Sequence, residues 1–186
     1  QLFYKEYRGP GSTIIIMHGL FGMLDNWHNV AKKLSERYRV FSIDLRNHGQ
    51  SPHSDDMSFE LMAEDLKDFM DDRNIPSASI MGHSLGGKVA MEFALQHPDK
   101  CENLVVVDIA PIKYKAGHTE IFEALFKLDI SDEEKKRSDL DKELAEMIPE
   151  FSVRQFLLKS LERNQEGGYS WKFNLQVLYD QYDKLI

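Results

Sequence analysis

The chain has 186 residues, and 31 acidic against 23 basic side chains give it a formal net charge of −8. That length can bury a sizeable core and reads as one domain, or one domain with an appendage. No basic stripe invites nucleic acid, and the single cysteine, Cys101, excludes both a disulfide framework and a C-x-x-C metal or redox pair.

Residues 3–8 are expected to form an edge strand, and Gly9-Pro10-Gly11 turns the chain into Thr13-Ile14-Ile15-Ile16-Met17. That run is apolar without alternation, which suits a strand covered on both faces of a parallel sheet. It ends at His18-Gly19-Leu20-Phe21-Gly22. A helix follows with Trp27, Val30, Ala31 and Leu34 on one stripe, and residues 38–43 read as a second buried strand. A polar loop, Asp44 to Pro52, leads to a helix carrying Phe59, Met62, Leu66 and Phe69, which ends near Asn74-Ile75-Pro76.

Ile80 and Met81 then close a third buried strand, and Val89, Ala90, Phe93 and Ala94 give the next stretch a helical period. Between them lies Gly82-His83-Ser84-Leu85-Gly86. This G-x-S-x-G pattern, with a strand before it and a helix after it, is a nucleophile elbow that lifts the serine hydroxyl clear of the backbone. Leu104 to Val107 form a fourth apolar strand and deliver Asp108 at its end. Strands alternating with helices at this spacing predict βαβ units in a mostly parallel sheet, with ligands beyond the carboxyl ends of the strands.

After Pro111 the alternation stops, and residues 118–186 read as helical. Ile121, Leu125 and Leu128 share a face, and Ser131 with Glu134 predicts a capping box for a helix through about Met147. Pro149 separates it from a helix containing Phe156, Leu157 and Leu161, which Glu166-Gly167-Gly168 breaks. A last segment holds Trp171, Phe173, Leu178, Tyr179 and Tyr182.

Four motifs, in order and spacing, resemble the α/β-hydrolase superfamily: His18 to Gly22, Asp44-Leu45-Arg46-Asn47-His48-Gly49-Gln50-Ser51, Gly82 to Gly87, and Val107-Asp108-Ile109-Ala110-Pro111. The chain is most similar to small bacterial esterases of the YbfF type, and the resemblance covers nearly all of it. It implies an α/β-hydrolase fold with residues 1–111 as the N-terminal part of the core and residues 112–186 as a helical lid. It implies an esterase or thioesterase that works through an acyl-serine intermediate on Ser84. Asp108 is a candidate triad acid, against a later acid beyond the lid. The backbone amides of Leu20, with Phe21 as fallback, and of Leu85 are the candidate oxyanion hole. His18 is expected to brace its loop through backbone hydrogen bonds. Phe122, Phe126, Phe156 and Tyr179 are candidates for an apolar acyl pocket.

The expected partner is a small-molecule acyl ester or thioester, with no cofactor. Asp44 and His48 fall short of a metal site. Lys88, Lys113 and Lys115 read as solvated lysines, with contact to an anionic head group as the alternative. A binding module without catalysis and an acyltransferase on the same scaffold are the competing functions. No apolar run reaches the ~18 residues of a membrane span, and Gln1 to Glu6 are not a secretory signal, so a cytoplasmic protein is expected. None of the seven histidines falls where the resemblance demands the general base, after the last strand of the sheet. The expectation is an N-terminal portion of a longer hydrolase, lacking its final strands and inactive alone.

Overall fold

Runs such as Thr13–Met17 have no polar face to offer solvent, so they are stable only where both faces of a sheet are covered. In the computed structural model, which describes residues 1–186, strands β1 (Tyr4–Tyr7), β2 (Thr13–Met17), β3 (Arg39–Ile43), β4 (Ala78–His83) and β5 (Cys101–Val107) form one sheet. Their order is β1-β3-β2-β4-β5, with β1 antiparallel to β3 and the other pairs parallel. Alternate residues sort to opposite faces. Ile15, Met17, Phe41, Ile43 and Ile80 join the main core with helices α2 (Phe59–Asp72) and α3 (Leu85–Gln96), while Ile14, Ile16 and Val40 meet Ala31 of α1 (His28–Leu34).

Local chemistry sets the helix limits. The Ser58 hydroxyl accepts from the Leu61 amide at the start of α2, and Asn74 at φ 54 turns the chain out before Pro76. The stripe from Trp27 to Leu34 is divided, because a 3-10 turn over Leu24–Trp27 precedes α1 and leaves Val30 exposed. β5 also differs from expectation. It pairs only with β4, so Leu104 and Val105 are exposed at the sheet edge rather than buried.

Residues 112–186 contain α4 (Thr119–Lys127), α5 (Arg137–Ala145), α6 (Phe151–Leu158) and α7 (Leu175–Asp180). They are not all helical. β6 (Leu161–Arg163) and β7 (Tyr169–Trp171) form an antiparallel hairpin, so Leu161 belongs to a strand. Gly167 and Gly168, at φ 99 and 69, turn that hairpin, and this conformation is why the glycines are there. Ser131 and Glu134 do not cap a helix. Their amides bond to Asp129 and Asp132 in a loop, and α5 starts later, where the Asp139 carboxylate accepts from the Lys136 amide.

This segment is tied to the carboxyl ends of the strands. The Ser160 hydroxyl donates to the Phe21 carbonyl at 3.1 Å, and the Asn174 amide donates to the Asn47 carbonyl at 2.8 Å. Between these bonds, Phe21 makes edge contacts with Phe122 and Phe173, both at 5.1 Å between centroids. Phe122 is only 1 % exposed. Phe122→Ala is therefore expected to lower unfolding free energy by about 3–5 kcal/mol. Urea denaturation followed by tryptophan fluorescence measures this, and a loss below about 1 kcal/mol would show that the ring is not part of the core.

Candidate active site

β4 and α3 meet at Ser84, whose backbone sits at φ 50 and ψ −116. A non-glycine residue there costs roughly 1–3 kcal/mol and persists only where the surroundings hold it. The surroundings are tight. A Cβ on Gly82 would fall on the Gly86 carbonyl, and one on Gly86 would come within 2.5 Å of the His18 carbonyl oxygen. Close approach of three backbones thus requires both glycines. The Ser84 amide donates to the Val107 carbonyl at 3.0 Å, fixing the turn against β5.

Leu85 is the first residue of α3, so its amide lacks an intrahelical partner and carries the positive end of the helix dipole. The Leu20 amide also makes no hydrogen bond. The Phe21 amide is different. It donates to His48 Nε2 at 3.2 Å, while Phe21 itself is held at φ 63. A donor already engaged by an imidazole is not free for another acceptor, so of the two candidate amides in this loop only that of Leu20 is unengaged.

That imidazole is half of a reciprocal clasp between the loops after β2 and β3. His18 Nε2 accepts from the Leu45 amide at 3.0 Å, and its Nδ1–H donates to the Gly19 carbonyl at 2.8 Å. His48 uses Nε2 for Phe21, and its Nδ1–H donates to the Arg46 carbonyl at 3.0 Å. Each ring must be neutral to accept a bond at Nε2. Burial does this, lowering the His18 pKa to about 3 and that of His48 to about 4. The carboxylate of Asp44 secures the same loop, accepting from the Leu24 and Gln50 amides. Arg46 clamps the loop to Asp65 of α2 with two bonds of 2.6 and 2.8 Å.

Two cavities meet at Ser84. One, of about 150 Å³, is mostly apolar and walled by Leu20, Leu85, Ile109 and Tyr182, with Lys88 and Lys115 also in its lining. The other, of about 400 Å³, is walled by Trp27, His83 and Phe156 among others. Of the residues expected to form the acyl pocket, only Phe156 lines either cavity. Phe122 is packed into the core, and Phe126 and Tyr179 pair edge-on at 5.4 Å on the surface, 45 % and 51 % exposed. Helical periodicity marked them as apolar but not which way their helices turned. Tyr182, Ile109 and Trp27 were missed as lining residues. Their apolarity was visible in the sequence; their nearness to Ser84 was not.

Lys88 is not simply solvated. Its ammonium donates to the Ile112 carbonyl at 2.7 Å and lies over the Tyr114 ring at 4.9 Å. Asp108 follows β5 at φ 56 with its side chain 88 % exposed, and its Oδ2 is 4.0 Å from His83 Nε2, too far for a hydrogen bond. The other rings are engaged elsewhere: His28 with Tyr7, His53 with the Lys172 carbonyl, His97 with Glu64 and His118 with Tyr182. No histidine is hydrogen-bonded to Ser84.

The sequence matches the family model described as alpha/beta hydrolase fold over residues 12–180. It is 41 % identical over 181 residues to the sn-1-specific diacylglycerol lipase ABHD11 of Mus musculus, covering 94 % of this chain and 59 % of that protein. It is 38 % identical over 176 residues to Esterase YbfF of Escherichia coli, covering 94 % of this chain and 67 % of that one. A solved structure described as a marine microorganism esterase superimposes with a TM-score of 0.97 at 42 % identity, over all of this chain and 73 % of that one. The chain thus spans about three fifths of the mouse relative's length.

The clasp has a pH signature. Both folded-state pKa values lie below the ordinary 6.5, so the folded state binds fewer protons than the unfolded state. Its contribution is fully present above about pH 6.5 and is lost as pH falls toward 4 and then 3. Each histidine should add about 1.4 kcal/mol per pH unit to the slope of stability across that window. His48→Gln should flatten the slope between pH 6.5 and 4.5 in urea titrations; an unchanged slope would mean that His48 is not held neutral.

Proposed function

Because this chain belongs to the α/β-hydrolase family, we propose that it carries the nucleophile and oxyanion hole of a serine hydrolase acting on carboxylic esters or thioesters. The observation that carries the reading is Ser84 at φ 50 on the N-terminus of α3, in one cavity wall with Leu20 and Leu85, whose amides are unengaged. Attack by the Ser84 hydroxyl on an acyl carbonyl places negative charge on the carbonyl oxygen, and these two amides stabilise it. Loss of one such donor costs about 10²- to 10³-fold in rate. Collapse expels the alcohol or thiol and leaves an acyl-serine, which water resolves. The relatives named esterase and lipase support ester substrates.

Residues 112–186 act as a lid over the core formed by residues 1–111. Their anchors at Phe21 and Asn47 keep them on the serine side of the sheet. The small apolar cavity takes a short acyl chain, and the wider one beside Trp27 and Phe156 takes the leaving group. No ring of residues 1–186 is hydrogen-bonded to Ser84, and on this reading the general base comes from a part of the full-length protein that these residues do not span. Asp108, exposed and without a hydrogen-bond partner, is on this reading either the triad acid or a brace for its own turn.

In a protein extended to the length of its relatives, p-nitrophenyl butyrate should be hydrolysed, and Ser84→Ala should lower the rate by at least about 10⁴-fold. Residues 1–186 alone should show no turnover that depends on Ser84. If the extended protein is equally active with alanine at position 84, the hydrolase reading fails; if the short chain shows rapid turnover abolished by Ser84→Ala, the base lies within it.

A further inference from the structure

Only three residues line both cavities: Ser84, Leu20 and His118. The first two hold the proposed nucleophile and a free amide. His118 comes from the other part of the chain, immediately before α4, and has no part in the steps above.

Its protonation can be worked out by counting hydrogen bonds. The Tyr182 hydroxyl oxygen accepts from the Gly117 amide and from the His118 amide, each at 3.2 Å. Those two bonds fill its acceptor capacity, so its own proton is left to donate. The His118 Nδ1 atom lies 2.6 Å away and receives it. An imidazole that accepts at Nδ1 carries its proton on Nε2 when neutral. Burial also lowers the His118 pKa, so the ring is neutral at neutral pH. Nε2 has no partner in the protein. Such an N–H cannot take the proton of Ser84, because that site is already occupied, but it can donate to an oxygen.

We infer that His118 is a substrate-binding residue, whose Nε2–H donates a hydrogen bond to an oxygen of the ester at the junction of the two cavities, and that Tyr182 positions it by fixing its tautomer. The inference rests on the proposal that an ester occupies the Ser84 site. The class of ligand follows from the donor: an oxygen acceptor, such as the alkoxy or acyl oxygen of an ester, flanked by apolar chains. The contact also gives residues 112–186 a direct hold on the substrate. Both members of the His118–Tyr182 pair lie in that segment, so movement of the segment carries the donor with it.

Nitrogen-15 NMR of the histidine rings in residues 1–186, titrated with methyl butyrate, tests the inference. The expected result is a His118 ring protonated at Nε2 before ligand is added, with Nε2–H signals that shift saturably alongside the Leu85 amide. Tyr182→Phe should release the ring into mixed tautomers. His118→Phe should weaken methyl butyrate binding, read at the Leu85 amide, by about two- to tenfold. His118→Gln, which keeps a donor, should restore part of it. A His118 ring protonated at Nδ1 overturns the inference. So does a Leu85 shift without a His118 shift, which would leave the serine-site reading standing. A His118 shift without one at Leu85 overturns the serine-site reading instead, and silence at both positions removes both.

Discussion

The close approach of β4, α3 and the end of β2 is the constraint on which the site depends. Gly82 and Gly86 let the start of α3 press against the carbonyls of Met17 and His18, and Ser84 is forced to φ 50 as a result. The strain is local, but its effect is shared. Because α3 starts hard against the end of β2, the loop that leaves β2 passes beside the serine. Leu20 of that loop and Leu85, the first residue of the helix, then line one cavity with Ser84.

The clasp of His18 and His48 decides which amides of that loop remain free. Four backbone groups are satisfied by two neutral rings whose centroids lie 4.9 Å apart. Buried polar groups of this kind are costly if half-satisfied and rigid if complete. Here they are complete. His48 holds Phe21, and Leu20 is left unengaged one residue earlier. The Phe21 ring then points into the aromatic cluster of Phe122 and Phe173, so the bond that engages the Phe21 amide also fixes the contact with residues 112–186.

Those residues are fastened to the core at several points. Ser160, Asn174 and Phe122 attach them to loops at the carboxyl ends of β2 and β3, and His118 reaches the point where the two cavities join. The chain is acidic overall, but the smaller cavity is lined by two lysines and by no Asp or Glu side chain. Lys88 is held there by a carbonyl and an aromatic face rather than by an ion pair.

Much of this was legible in the order of residues. An unbroken β-branched run marked β2, helical periods marked α2 and α3, and glycines flanking Ser84 marked the elbow, because each signal depends on neighbours a few positions apart. The hairpin at Leu161–Trp171 and the late start of α5 were not legible, since weak local preferences there yield to packing. Nor was the lining of the cavities. Phe122, Phe126 and Tyr179 have the apolarity of pocket residues, but the rotation of α4 and α7 against the core buries one and leaves two on the surface. The sequence alone determined the fold class and the strand–turn–helix that carries Ser84. Only the tertiary structure decided that the Phe21 amide is engaged while that of Leu20 is free, and that His118 lines the same cavities as Ser84, because both depend on contacts between residues far apart in the chain.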